Sequence, residues 1–487
     1  MSNVSKESQS KLGLTKGLRW SVYEVYGAQF ASFFISIILA RLLSPKDFGL
    51  VGIAMGAIAV LRSFVSLGFS EALIQDRKAS SSAANSIFTL NLLTGILTSL
   101  CLFLSAPILA KYFDNPELLR IIQFLSILNL IEGTAKVQSA LFTKTLNFRT
   151  LAIRKLIAQL FSGILAVILA IKGFGVYALV AQFLVRETIS TILLWKQSMW
   201  RPKLELKVSE LNRLRPIAQY SFITGMLNRT LKELFTFSIA KSFTITQLGL
   251  YSKANSALDF FSTGVSASIN KFLFPVLSGI QIDEVEFKKR FMEVYYFALT
   301  VVLIVTSTCY VSAESIITVL YGQKWIGSIF IFKCILIKGV TYTHYSVVKS
   351  AILAKSKVRE GYIYDNIKRF VELSSLVPLL FGNFNLFLHW FIVTQIINII
   401  VQSALVHRAI NFSYEELLGF LLSNILLFTV GVLLFEHVFN SFDNILLRDL
   451  LKTLSIWLFI LLKLVLFDRS KLLDIRNISL KILSFKR

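Results

Sequence analysis

Charged side chains standing inside long apolar runs are the residues of this sequence best placed to do chemistry. Arg229, Lys232 and Glu233 fall together in the run 214–240, and Arg62 falls in 48–74. Glu24 lies in 17–40, and Asp259 lies in 250–277 with Lys253 and Lys271 toward the two ends of that run. An ionisable group at bilayer depth is costly unless it faces water, protein or a partner. Arg229 and Lys232, three apart, share one helical face, and Arg229 and Glu233, four apart, are spaced to pair. Two cations on one face suit an anionic group, with arginine able to hold a phosphate through two parallel bonds. The competing reading is a set of interhelical ion pairs that fix packing. Arg62 admits the same two readings. Lys253 is a candidate for the same cationic set, although snorkelling near a helix end also explains it and Lys271. Glu24, Glu233 and Asp259 are candidates for coupling to an ion or for simple counter-ions. Glu71 and Lys271 stand at equivalent places near helix ends and are a candidate gate pair.

These residues must be carried by membrane helices. Of the 487 residues, 55% are hydrophobic and only 16% charged, where a soluble domain has roughly 25% charged residues. Mean hydropathy is +0.67. With 7 prolines in the whole chain, most apolar runs can continue as unbroken helix. A span needs about 20 mostly apolar residues. Fourteen runs qualify: 17–40, 48–74, 85–109, 119–142, 151–171, 174–196, 214–240, 250–277, 291–312, 326–352, 362–381, 386–407, 415–435 and 447–467. The organisation read from them is a polar N-terminus (1–16), a first lobe (17–196), a linker (197–213), a second lobe (214–407), two further helices (415–467) and a basic tail (468–487). The N-terminus has no apolar core with a small-residue cleavage site, so the first run is expected to be retained. The linker reads as solvated, and the tail as a basic amphipathic helix on an anionic leaflet or as a solvated end.

Charge tests the count. The loops on the N-terminal side of the bilayer hold 29 Lys and Arg, and those on the other side hold 7. By the positive-inside bias, both termini are cytoplasmic and the number of crossings is even. The same bias explains the net charge of +23, and no basic stripe or zinc spacing points to nucleic acid. Cys101, Cys309 and Cys334 sit in apolar runs as small hydrophobes, so neither a disulfide framework nor a metal site is expected. No loop is long enough for a soluble catalytic domain. There is no P-loop and no dinucleotide fingerprint, so no ATP site and no cofactor is expected, and energy must come from an ion gradient or from consumption of the product.

The sequence repeats internally. Ala40–Leu50 (ARLLSPKDFGL) matches Ala240–Leu250 (AKSFTITQLGL) at an offset of 200, continued by Ala54 and Ala254. Ser139–Lys144 (SALFTK) matches Ser350–Lys355 (SAILAK) at an offset of 211. Six helices per half keep both halves in one orientation, as parallel repeats about an axis along the membrane normal. Such a pair of lobes can rock about a central site.

Several motifs then carry a family resemblance: Gly17–Ser21, Ala40–Leu50, Leu73–Gln75, Lys172–Leu179, Trp200–Pro202 and Phe274–Ser278. Together they resemble polysaccharide and O-antigen flippases, the colanic-acid type of lipopolysaccharide exporter above all, in the multidrug/oligosaccharidyl-lipid/polysaccharide superfamily. The resemblance covers about 1–410. It implies an all-α polytopic fold of two six-helix lobes plus two C-terminal helices. It also implies movement of an undecaprenyl-diphosphate-linked oligosaccharide between leaflets of a bacterial inner membrane, with Arg62, Arg229 and Lys232 lining a cationic cavity. In Lys232–Ala240 the acid of the family's seventh helix is present, but its Ile-Gly ending is not. A polysaccharide polymerase is a candidate partner, and a functional monomer is expected. Three readings compete: a cation-coupled drug exporter, which would favour carboxylates in the cavity; a lipid II flippase; and a membrane polymerase, ligase or glycosyltransferase, which would need an acidic or extramembrane catalytic motif.

Overall fold

A computed structural model describes residues 27–76, 80–410, 412–439 and 445–466. Glu24, the N-terminal segment and the basic tail lie outside the described residues, as does the side chain of Lys271. All regular structure among the described residues is helical. Helix lies over the described part of every one of the fourteen runs. Eight of these helices are long and apolar enough to cross a membrane. The chain divides into two compact units, Met1–Ser252 and Lys253–Arg487.

The first unit opens with α1 (Gly27–Leu42) and α2 (Pro45–Ser66). Ser44 starts α2 with a capping box: its hydroxyl accepts from the Asp47 amide, and Asp47 accepts from the Ser44 amide at 2.8 Å. Pro45 at the first position needs no amide partner. The expected run 48–74 is broken after Ser66. Leu67 and Gly68 both take positive φ, and α3 (Phe69–Gln75) follows. A side chain on Gly68 would strike the carbonyl of Ala218, so the break lets another helix in. That helix is α8 (Val208–Ser242), which packs on α2 and α3. Between them come α4 (Ser81–Tyr112), α5 (Glu117–Lys144), α6 (Phe148–Ile171) and α7 (Val176–Gln197). The closest neighbours are α4 with α5 and α6 with α7.

The linker is bound rather than free. Residues 198–207 run extended along the first turns of α4. The amides of Lys203, Glu205 and Lys207 donate to Asn85 Oδ1 (3.2 Å), Thr89 Oγ1 (3.1 Å) and Ser86 Oγ (2.9 Å). Asn85 returns a bond from Nδ2 to the Glu205 carboxylate at 3.3 Å. The Trp200 ring meets Phe88 edge-on. Just beyond, Arg213 pairs with Glu210 (2.7 Å) and Asp76 (2.9 Å), and Ser80 donates to Glu210 at 3.0 Å. The Lys207 ammonium, then the Asn85 amide, hold the Glu205 carboxyl below the usual carboxylate range. Arg213 and Ser80 do the same for Glu210. Small polar side chains on the α4 turns supply the partners that a solvated linker would take from water.

α9 (Ile245–Gly279) joins the two units. Thr244 and Gln247 repeat the capping box 200 residues on, with reciprocal bonds of 3.1 Å. The second unit is built on α10 (Glu284–Val311), whose Phe291, Tyr295 and Val302 are core residues. α10 packs against α13 (Ile337–Ala354), α16 (Tyr414–Phe439) and α17 (Ile445–Leu466). The expected run 326–352 is two helices, α12 (Gly327–Ile335) and α13, meeting at Leu336. A short α11 (Ala313–Tyr321) precedes them and is tied to α17 by Ser315 to Asp449 (2.5 Å) and Arg448 to Glu314 (3.0 Å). The run 362–381 becomes α14 (Val358–Leu373) and then a 3-10 helix through Pro378, which cannot donate to an α-helical ladder. α15 (Phe384–Ile410) lies against α13 and α14.

The second repeat match has its own geometry. Lys144, at the end of α5, donates to the carbonyls of Leu73 (3.2 Å) and Asp76 (2.5 Å) at the end of α3. Lys355, at the end of α13, donates to the Gln281 carbonyl (2.8 Å) and the Glu284 carboxylate (2.7 Å) after α9. The turn bonds correspond at an offset of 210: Thr145 to Leu141 and Lys355 to Ala351, Asn147 to Phe142 and Lys357 to Ile352. The lysines themselves are 211 apart.

Candidate functional site

Adjacent residues on α2 face different neighbours. Arg62 turns to α5, where its guanidinium pairs with Glu132. Glu132 also takes the Lys136 ammonium at 2.9 Å, one helical turn on. Ser63 turns to α8 and accepts from Arg229 Nη1 at 3.2 Å. Arg229 therefore meets a hydroxyl, and among the described residues it makes no ion pair with Glu233. The Glu233 carboxylate instead lies over Gly56, 3.0 Å from where a Cβ would stand. Lys232 is exposed.

Arg62 and Glu132 open onto a cavity of about 500 Å³ inside the first unit, walled by α1, α2, α5, α6 and α7. Arg62, Lys136, Arg154, Lys155 and Arg186 line it, against the carboxylates Glu132 and Glu187. Five cations thus stand against two acids. The acids are engaged within the wall, Glu132 as above and Glu187 by Arg186 at 3.4 Å. Arg154 is buried and donates to Ser139 Oγ at 3.3 Å. Gln159, 4% exposed, lines the same space, and its Nε2 has no hydrogen-bond partner among the described residues. A buried amide donor without an acceptor is unfavourable unless something fills the space beside it. The wall offers an excess of donors and positive charge, which suits an anion with several acceptor oxygens.

The remaining expected residues lie elsewhere. Lys253 is 3% exposed, with its ammonium over the rings of Tyr321 (5.5 Å) and Trp325 (6.0 Å) in the second unit. Asp259 accepts from Asn255 Nδ2 at 3.1 Å, and Asn255 in turn accepts from Lys338 at 3.4 Å. Glu71 has a buried carboxylate oxygen without a hydrogen-bond partner among the described residues. Its proposed mate Lys271, like Glu24, falls outside the described side chains. The face of α14 bearing Asp365, Lys368 and Glu372 is paired: Lys349 to Asp365 and Lys368 to Glu372, both at 2.8 Å.

Six charged members of the cavity wall were not singled out from the sequence: Glu132, Lys136, Arg154, Lys155, Arg186 and Glu187. Arg154 and Lys155 stand at the head of a run and read as loop charges. The signals for the others were present, as Glu132 and Lys136 at a spacing of four and as the Arg186-Glu187 pair deep in the run 174–196.

Comparison with known proteins agrees with this architecture. The sequence profile of the family described as polysaccharide biosynthesis protein matches residues 38–330. The succinoglycan biosynthesis transport protein ExoT of Rhizobium meliloti is 26% identical over 317 residues, 64% of this chain and 63% of the relative. The teichuronic acid biosynthesis protein TuaB of Bacillus subtilis is 20% identical over 62% of each chain. The lipopolysaccharide biosynthesis protein WzxC of Escherichia coli is 21% identical over 70% of each. The matches to ExoT and TuaB thus span less than two thirds of those relatives' own length. Among solved structures, the lipid II flippase MurJ in an inward closed conformation aligns with a TM-score of 0.71 at 12% identity, covering 92% of this chain and 99% of that one. An inward-facing multidrug transporter of the MATE family aligns at 0.61, also at 12% identity, over 81% of this chain and 99% of its own. These similarities establish an all-α, multi-pass membrane fold of the MurJ and MATE kind. The chain belongs to the polysaccharide biosynthesis protein family.

Proposed function

We propose that this transporter flips an undecaprenyl-diphosphate-linked oligosaccharide from the cytoplasmic to the periplasmic leaflet of a bacterial inner membrane. The observation that carries the reading is the cavity beside Arg62, with five cations against two carboxylates. A diphosphate presents several acceptor oxygens and negative charge, which this wall complements. Arg62 and the cavity cations hold the diphosphate, and Arg229 and Lys232 on α8, across α2 from that cavity, meet the sugar portion of the same head group. The fourteen helical runs cross the membrane with both termini in the cytoplasm, as the loop charges favour. Two six-helix lobes alternate access about a parallel pseudo-two-fold axis, a reading supported by the matching capping boxes at Ser44 and Thr244. Asp259, Glu233 and Glu24 are the candidates for coupling to an ion gradient, and Glu71 with Lys271 for a cytoplasmic gate. The excess of cations over carboxylates weighs against the drug-exporter reading. The transporter works as a monomer and delivers its cargo to a periplasmic polysaccharide polymerase.

The test is a deletion strain. Lipid-linked repeat units should accumulate on the cytoplasmic leaflet while surface polysaccharide disappears. Arg229→Ala with Lys232→Ala should fail to restore export, although the protein is folded and inserted. Full export by that double variant would remove α8 from the site. Intact surface glycan in the deletion strain, with altered sensitivity to cationic drugs alone, would transfer the assignment to a drug exporter.

A further inference from the structure

The strap of residues 198–207 lies on the side of α4 that meets lipid. Ser82, Ser86, Thr89, Leu93, Ile96, Leu100 and Leu104 recur at intervals of three and four along α4, so they form one stripe. From Leu93 onward the stripe is apolar and exposed, on a helix long and apolar enough to cross a membrane. Toward the start of α4 the stripe turns polar. There the strap covers it, through the amide bonds to Asn85, Ser86 and Thr89. The strap thus continues, at the end of the span, the surface that acyl chains cover farther in.

Its two faces differ. The Glu205 amide is bound at Thr89, whereas the Glu205 carboxylate reaches back to Asn85 (3.3 Å) and Ser82 (3.4 Å). That side chain therefore runs toward the start of α4, away from the middle of the span. Successive side chains of an extended segment point to opposite faces. Leu204 and Leu206 therefore point the other way, toward Leu93, one helical turn or about 6 Å beyond Thr89. They are 77% and 50% exposed, and Val208, next on the same face, is 60% exposed. The opposite face carries Lys203, Glu205 and Lys207. Lys207 pairs with Glu205 at 2.7 Å, and Lys203 meets no carboxylate among the described residues.

We propose that the strap is a docking surface for the anionic phospholipids of the inner leaflet. Leu204, Leu206 and Val208 enter the acyl boundary, and Arg201, Lys203 and Lys207, all exposed, reach the phosphate layer. The inner placement rests on the sidedness of the proposed function, whereas the docking to lipid does not. An apolar row backed by lysines is the pattern of a segment lying in the interface plane of an anionic leaflet. The single carboxylate, Glu205, is turned onto α4 and so does not repel phosphates. The backbone fixes the depth. The amides of Leu204 and Leu206 alternate with the bonded ones and find no acceptor among the described residues. Free donors are costly among acyl chains, but at the head groups they meet phosphate oxygens and water. A partner strand added to this edge would satisfy the same amides and leave the leucine face bare, because side chains stand off the hydrogen-bonding plane.

The full chain in nanodiscs of phosphatidylglycerol or of phosphatidylcholine tests the docking. A nitroxide on Leu206→Cys, with Cys101, Cys309 and Cys334 replaced by alanine, should be open to oxygen and shielded from an aqueous nickel chelate. In the wild type, the Leu204 and Leu206 amides should exchange several-fold more slowly in phosphatidylglycerol than in phosphatidylcholine. Lys203→Gln should lose most of that difference. A nitroxide in water, or exchange indifferent to the lipid's charge, overturns the proposal. A nitroxide in water in nanodiscs but shielded in cells assigns the face to a protein partner and overturns it equally. Labelling of Met199→Cys by an impermeant maleimide from the periplasmic side refutes the sidedness of the proposed function and the inner placement with it. Slow exchange in phosphatidylglycerol would still support the docking in that case. Should the cysteine-free protein fail to accumulate, the wild-type exchange decides.

Discussion

Glu132 holds two cations at once, Arg62 and Lys136. Glu132→Gln removes the shared charge and leaves both facing each other in a half-buried wall. The expected loss is about 1–3 kcal/mol of stability, the penalty of stranding polar groups rather than the worth of one bond. Thermal unfolding in detergent should fall accordingly, and adding Arg62→Gln should recover part of it. Strict additivity of the two changes would show that the pair is uncoupled. Inorganic pyrophosphate should raise the unfolding temperature of the wild type, because a ligand that binds only the folded state stabilises it. No shift at saturating pyrophosphate would count against a diphosphate in this wall. At this scale the sequence showed that Arg62, Arg229 and Lys232 need partners, and it could not name them. Arg62 and Glu132 are 70 positions apart, and no spacing rule reaches that far. Arg229 and Glu233 had the right spacing for a pair, yet a hydroxyl on α2 lies nearer to the arginine than its own helix neighbour.

The strap of residues 198–207 along α4 is an element whose attachment depends on acid. Glu205 and Glu210 have folded pKa values below the ordinary carboxylate value, through Lys207 with Asn85 and through Arg213 with Ser80. A depressed carboxylate contributes stability that is full above its unfolded pKa and lost as pH falls through the folded one. The strap should therefore hold at neutral pH and loosen only in strong acid, below the usual carboxylate range. Hydrogen exchange at the Lys203, Glu205 and Lys207 amides checks this: protection at neutral pH, lost on acidification. Asn85→Ala should raise exchange at the same amides without acid. Equal, fast exchange at every pH would return the segment to a solvated linker. The helical runs themselves were legible, because twenty apolar residues leave the backbone few alternatives to helix. Their interruptions were not. The break at Leu67 and Gly68 answers to the Ala218 carbonyl on a distant helix, and α11 owes its place to Asp449 on α17. Tertiary partners of this sort leave no local periodicity.

For the molecule as a whole, sidedness is the most exposed expectation. Cysteines in place of Ser80 and Lys357 should label from the cytoplasm, and one in place of Phe384 from the periplasm. A cytoplasmic Phe384→Cys would remove the fourteen-crossing topology. The charged positions also explain why counting by apolarity gives eight spans among the described residues. α8 and α9 carry Arg229, Lys232, Glu233, Lys253 and Asp259, charges that count against a span, and broken runs leave α12 with 9 residues and α14 with 16, too short to cross. The internal repeat was legible wherever the backbone demanded a residue type, as at Gly49 and Gly249, where a Cβ would strike the carbonyl oxygens of Ile245 and Pro45. It blurred where a flexible arm did the work. Lys144 and Lys355 reach the same kind of carbonyl from turns that correspond one residue differently. A long side chain can find its acceptor from either of two neighbouring slots. In descent from a duplicated ancestor such a position is free to wander while its task is kept. In distant relatives the lysine should be sought within a residue of that turn, not in a fixed column, and a strict column-by-column comparison would score it as lost.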